Sequence, residues 1–330
     1  MCPANSIDFA PFDKGKAGRT KARRELILKT MVIIVGLLLA LRTIQRFPWK
    51  GTQQALFKAD LGILCLAAAV NLISLVAKGT AWHILLRSLA CSRWVSVQAA
   101  NLIGAMVNSF SITVAGDAAR IHSIVRRDGV PVQTAIVSLV WSRILEVITI
   151  ILFIILGPVL FTVPSYLRGL QAGAAVVLIV FLLIIFLGKS WKPPPRFPQS
   201  LRTALSLLSE IRSYKRVIWP LLFAIITWTA QWIIFHLSLL ALGAQPSLAA
   251  SLTALLATYL SGILRLTPAN VGIFQASMVA SLLTFGIPAE KAMAASLALQ
   301  GIQVIPVVII GLILSISLGH RKSKKPDHHG

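Results

Sequence analysis

A segment near the middle of this chain recurs 157 residues further on: Gly129-Val130-Pro131-Val132-Gln133-Thr134-Ala135 returns as Gly286-Ile287-Pro288-Ala289-Glu290-Lys291-Ala292. A glycine break precedes each copy, at Gly116 and at Gly272, and a long apolar run follows each, with Arg143 in register with Gln300. A duplication of this size constrains the fold more than any single motif, because each half must be a unit that packs against its copy.

What the halves pack in is set by composition. Hydrophobic residues make up 56% of the 330 positions. A water-soluble chain of this length could not hide so much apolar surface, so the bilayer is the solvent. The formal charge of +22, from 32 Lys and Arg against 10 Asp and Glu, would suggest nucleic acid on a soluble protein. Here the basic residues fall in short stretches between apolar runs. That pattern favours membrane orientation and anionic lipid headgroups, and excludes a nucleic-acid partner. Cys2, Cys65 and Cys91 form no CxxC pair and support neither a metal site nor a disulfide framework.

Apolar runs lie at about 26–41, 60–77, 95–115, 132–156, 171–188, 217–242, 249–263, 273–285 and 297–318. The segments 95–115 and 249–285 are rich in Asn, Ser, Thr and helix breakers, which suits backbone that turns inside the membrane under cover of protein. Residues 189–216 and both tails are strongly basic and are expected on the cytoplasmic side. Five crossings before residue 189 would place that linker outside, whereas a re-entrant 95–115 leaves four and places it inside. The same logic makes 249–285 re-entrant from the other face. The Lys and Arg residues of 78–94 and 116–131 then also fall in cytoplasmic stretches.

The expected architecture is therefore an all-α polytopic membrane protein with cytoplasmic termini. It comprises two inverted repeats, about six full spans and two re-entrant segments, with an eight-span bundle as the alternative. The expected parts are a basic tail (1–25), repeat 1 (26–165), repeat 2 (166–318, carrying the Pro-rich basic linker 189–216) and a second basic tail (319–330). The N-terminal stretch reads as a retained tail with an uncleaved first span.

Several polar residues are placed where charge is costly. Arg143 and Glu146 lie one turn apart inside an apolar run, and each charge at mid-membrane costs roughly 2.5–3.5 kcal/mol on insertion scales, so neither should face lipid. They form either a mutual ion pair joining helices or part of a polar path that pairs with Asp117. Gln300 and Gln303 take the equivalent positions in the second half, keeping polarity and losing charge. Asp117 and Arg120 share one face of a helix starting near Gly116. Asp117 is either a cap or a headgroup contact beside Arg120. Arg265 precedes a break formed by Pro268, Asn270 and Gly272, after which Gln275 opens the next helix. That break is either a structural hinge or an anion-holding turn.

These residues resemble a known family, the transmembrane region of lysylphosphatidylglycerol synthases, also found alone as flippase-like membrane proteins. Family members carry Gly-Asp with an Arg shortly after, matched by Gly116-Asp117 and Arg120. A Gly-x-x-x-x-x-Ala stretch and a span carrying Arg follow, matched by Gly129, Ala135 and Arg143. The second half typically reads Pro-Gly-Gly-x-Gly-x-x-Glu, which stands here as Pro268-Ala269-Asn270-Val271-Gly272-Ile273-Phe274-Gln275. The likeness covers about residues 25–318. In departure from the pattern, Gln275 replaces the family Glu, Gln300 replaces an Arg, and the first break lacks its proline. The family's aminoacyl-transferase domain has no counterpart, so lipid aminoacylation is not implied.

The resemblance implies a non-enzymatic translocator of the bacterial inner membrane that moves a polar-headed lipid or lipid-linked intermediate between leaflets. Asp117, Arg120, Arg143 and Glu146 would line one half of its route and Arg265, Asn270, Gln275 and Gln300 the other. No Walker A motif or other cofactor signature occurs, so an ion or lipid gradient would supply the energy. The rivals are a non-transporting subunit that recruits a lipid-modifying enzyme and, less supported, a membrane transferase. A homo-oligomer fits each reading.

Overall fold

The computed structural model describes residues 48–111, 115–187, 214–262 and 270–322. Residues 1–49 form a unit of their own, and the architecture below is that of Lys50–Gly330. The expected run at 26–41, the linker 189–216 up to residue 213, Arg265 and Pro268 lie outside the described residues, and the linker's last three residues open α7. The described residues hold helices and no strand: α1 (Trp49–Phe57), α2 (Leu61–Arg87), α3 (Trp94–Phe110), α4 (Ala115–Asp128), α5 (Val132–Leu160), α6 (Ser165–Leu187), α7 (Tyr214–Ala241), α8 (Leu248–Ser261), α9 (Ile273–Leu283) and α10 (Ala289–Lys322).

A long–short–short–long order runs through α2–α5 and again through α7–α10. Local chemistry sets the boundaries. Asp60 caps α2 by accepting the Ile63 amide at 3.1 Å, and Ser247 caps α8 by accepting the Ala250 amide at 3.1 Å. Gly129 and Gly286 both adopt positive φ, at 68° and 73°. Each turns the chain two residues before a proline whose fixed φ starts the following long helix. The duplicated Gly-x-Pro is thus a duplicated helix start.

Four helices are long and apolar enough to cross a membrane: Leu61–Arg87, Val132–Leu160, Val217–Ala241 and Ala289–Ile316. The expected run at 171–188 falls on the apolar helix α6. The two segments read as re-entrant are each a pair of short helices. At 1.5 Å per residue, α3 and α4 reach roughly 25 and 21 Å and α8 and α9 roughly 21 and 17 Å, short of the ~30 Å hydrocarbon core. In the first pair α3 ends at Phe110 and α4 starts at Ala115, so Gly116 lies inside α4 rather than in a break. Its task is close approach: a Cβ on Gly104 would stand 2.6 Å from the Gly116 carbonyl, so the two backbones touch.

α2 and α7, in corresponding positions of the two halves, pack against each other along the centre. α3 lies against α10, in the opposite half. Polarity runs inside out. Asn71, Ser138, Thr149, Ser251, Thr253 and Ser296 are buried, while Ile73, Val147, Leu156, Ile226, Ile309 and Ile313 are exposed. That distribution suits a surface bathed in lipid chains.

One placement corrects the sequence reading. Lys78, expected in a cytoplasmic stretch after a run ending at 77, sits within α2, which continues to Arg87. The lysine does not end the helix because an acid on another helix meets its charge.

Candidate functional site

α2 carries no acid of its own. Lys78 instead places its Nζ 3.0 Å from a Glu146 carboxylate oxygen on α5. The other Glu146 oxygen accepts from Arg143 Nη1 at 2.9 Å, one turn back on the same helix. Arg143 Nη2 donates to Asp117 Oδ1 on α4 at 2.7 Å. The same Asp117 oxygen lies 3.4 Å from Arg120 Nη1. The result is a chain of five charges, Lys78–Glu146–Arg143–Asp117–Arg120, in which three cations share two carboxylates. Arg143 therefore pairs with both Glu146 and Asp117. Asp117 holds two arginines.

All of these side chains except Asp117 border a cavity of about 450 Å³. Lys78, Arg120, Arg143 and Glu146 line its first-half wall, joined by Asn108 and Ser109 of α3. Among the described residues the opposite wall is uncharged, and it is built around Gln231 of α7. The Gln231 Nε2 donates to Ser74 Oγ at 2.9 Å. Its Oε1 accepts from Gln303 Nε2 at 2.8 Å and from the Tyr259 hydroxyl at 3.3 Å. One amide thus ties α2, α7, α8 and α10 together. Gln231 stands 157 positions after Ser74, so that bond joins residues in corresponding register, and Gln303 takes the position that Glu146 holds in the first half. Asn270 lines the same cavity, with φ of 55° and its Nδ2 3.5 Å from the Gly262 carbonyl oxygen.

Gln275 and Gln300 lie apart from the cavity lining. Gln275 accepts the Gly272 amide through Oε1 at 2.6 Å and donates through Nε2 to Gln300 Oε1. The two positions that depart from the family pattern therefore touch each other. An acid and an arginine there would form an ion pair, and here an amide pair takes its place. Gly272 stands where the break was expected, as the N-cap of α9.

At the base of the first helical pair, Asp128 accepts from the Arg93 backbone amide at 2.7 Å, the Arg93 Nε at 3.0 Å and the Ser96 hydroxyl at 2.8 Å. Burial raises the Asp128 pKa, but these hydrogen bonds outweigh it and hold the carboxyl below its ordinary value. This clasp joins the start of α3 to the end of α4. Among the described residues, no group of three His, Cys, Asp or Glu side chains converges as a metal site would require.

Lys78 and Gln231 are the residues the sequence reading did not single out. The available signal for Lys78 was a cation inside an apolar helix whose other charge, Arg87, stands at its very end. Gln231 carried no comparable mark, because its role depends on three other helices.

Long apolar helices, an inside-out distribution of polarity and a charged internal cavity define a helical, multi-pass membrane protein. Within that class, the sequence model described as Lysylphosphatidylglycerol synthase TM region matches residues 26–311, and the chain belongs to this family. No curated protein matches the chain.

Proposed function

We propose that the protein is a lipid translocator of the bacterial inner membrane that passes a polar headgroup between leaflets through the cavity between its halves. The observation that carries this reading is the cavity itself. Its volume falls within the roughly 300–1,000 Å³ usual for ligand sites. Lys78, Arg143 and Glu146 lie on long apolar helices, where an ionisable group is costly unless it has a task. Lining from both halves suits a site exposed alternately to each face.

The topology proposed is an inverted repeat whose two short-helix pairs enter and leave by the same face. Helix length supports this. So does charge: Arg87, Arg93, Arg126 and Arg127 gather at the base of α3–α4, whereas Glu290 and Lys291 mark the base of α8–α9. The bond between Ser74 and Gln231 fits a pseudo-twofold axis passing near both. Transport needs no chemical step by the protein, and the reading is of a non-enzyme whose partners are membrane lipids.

Leaflet exchange in proteoliposomes tests the proposal. Headgroup-selective exchange, lost in Arg143→Ala and reduced in Arg120→Ala, is the expected result. No exchange above empty liposomes for any headgroup, from folded protein under an imposed ion gradient, would sink it. The Gln275–Gln300 amide pair favours a second reading, a non-transporting subunit that recruits a membrane enzyme through its basic tails. Full activity in cells after removal of both tails argues against that reading.

A further inference from the structure

The duplication supplies two matching seams. α5 meets α2 and α7 at one, and its counterpart α10 meets α7 and α2 at the other. At the first seam Lys78, Glu146 and Thr227 line the cavity, and the same three residues line a chamber of about 10 Å³, room for one water. Ala81, Ser142 and Ala224 bound that chamber one turn further toward the base of α3–α4. The Lys78–Glu146 pair therefore stands in the wall between the two spaces, and both side chains keep some exposure, 26% and 14%. Past the chamber, an apolar layer of Leu85, Val137 and Trp141 and the bond from Trp82 Nε1 to Ser138 Oγ at 3.0 Å close the seam.

The second seam is filled differently. The repeat offset of 157 carries Lys78, Ser142 and Leu145 onto Phe235, Leu299 and Ile302, and carries Ala224 and Thr227 back onto Ala67 and Val70. All five counterparts belong to the main apolar core, with Ala67, Phe235 and Leu299 fully buried. Neutral groups cross this seam: Gln303 bonds Gln231, and Asn71 Nδ2 donates to the Ile302 carbonyl oxygen at 3.0 Å.

The two seams differ in what parting them costs. Separating Phe235 from Leu299 exposes apolar side chains to a polar passage, and no new contact compensates. Separating Lys78 from Glu146 lets water solvate each charge, which offsets much of the lost attraction. The chamber beside the pair also leaves its lining without part of the close packing that the second seam keeps. Resting on the translocator reading, we infer that the seam of α5 against α2 and α7 is the gate by which the cavity opens toward the base of α3–α4, with Lys78–Glu146 as its latch. The counterpart seam at α10 stays shut while this one parts.

Thiol labelling of the full chain in sealed vesicles tests this without any transported lipid. Cys2, Cys65 and Cys91 are replaced by serine, and a membrane-impermeant maleimide is added to one face at a time. Arg126→Cys, exposed at the base of α4, marks the face in question. Ser142→Cys reports the chamber, and Leu299→Cys reports its counterpart. Ser142→Cys is expected to react from the marked face, and Glu146→Gln should raise its rate about ten-fold, as a shift of about 1.4 kcal/mol toward the parted state would. Leu299→Cys should stay unreactive from that face in both backgrounds. Leu85→Ala thins the apolar layer and keeps the pair, so it should also speed Ser142→Cys, and it serves if Glu146→Gln fails to fold. Melting temperature in detergent checks each variant. Equal rates at positions 142 and 299, a Ser142→Cys rate that neither variant raises, or reaction as fast from the opposite face overturns the inference. Face-selective labelling without leaflet exchange would remove the translocator reading and leave the gate standing. Leaflet exchange with an unreactive Ser142→Cys would do the reverse.

Discussion

Lys78 and Glu146 show how a charge survives on an apolar helix. Both side chains are mostly buried, and each meets the other at 3.0 Å. Such a pair need not stabilise the fold relative to apolar residues, but removing one partner strands the other, at a cost of about 3–5 kcal/mol. Glu146→Gln is therefore expected to lower thermal stability in detergent markedly, because it strands Lys78 and weakens the hold on Arg143. Lys78→Met combined with Glu146→Met should recover part of the loss. Additive losses in the double variant would show that the pair is not coupled. Asp128 makes a different prediction. Its pKa is lower folded than unfolded, so its contribution is fully present above the unfolded value, near 3.9, and is lost as pH falls through the folded value. Acid melting curves should thus show Asp128→Asn less stable than wild type near neutrality, with the two converging in strong acid. A gap that stays constant with pH would contradict the assignment.

Elements explain which parts of the site could be read in advance. Arg143 and Glu146 are three residues apart, and a helix turns that spacing into contact. Asp117 and Arg120 follow the same rule. The Arg143–Asp117 bond spans 26 residues and joins two helices, so spacing could suggest it and only packing could fix it. Lys78 was misplaced because its partner lies on α5, 68 positions away, and nothing local distinguishes a paired lysine from one that ends a span. The Gly-x-Pro copies announced helix starts correctly, since backbone conformation is a local matter. Gly116 read as a break because a glycine's close contact with another helix leaves no local trace. The amide pair at Gln275 and Gln300 carries its own test. Gln275→Glu alone or Gln300→Arg alone would bury a charge without its counterpart, and each should destabilise by about 1–3 kcal/mol. The double variant rebuilds an ion pair and should be more stable than the sum of the single effects, read as melting temperature in a double-mutant cycle.

At the scale of the whole molecule, the halves are joined where α3 meets α10. A Cβ added at Gly311 would lie 2.7 Å from that of Met106. Disulfides hold Cβ atoms at about 3.8 Å, so a modest parting of the helices would admit one. With Cys2, Cys65 and Cys91 replaced by serine, Met106→Cys with Gly311→Cys should cross-link on oxidation. If the halves move against each other, the oxidised protein will stop leaflet exchange and reductant will restore it. Undiminished exchange in the fully cross-linked protein would place the motion elsewhere. The unequal sharing of charge described above has a further consequence, because the bilayer of a living cell sustains a voltage. On the translocator reading, the three cations and two carboxylates among the described residues give the empty site one positive charge. Carrying one such charge through a field of 100 mV is worth roughly 2.3 kcal/mol. An inside-negative potential would then draw the empty site toward the cytoplasmic face, whereas a site filled by a monoanion would cross indifferent to it. The electrical asymmetry would act on the return stroke alone, and the cell could set the direction of lipid flow without spending a coupling ion.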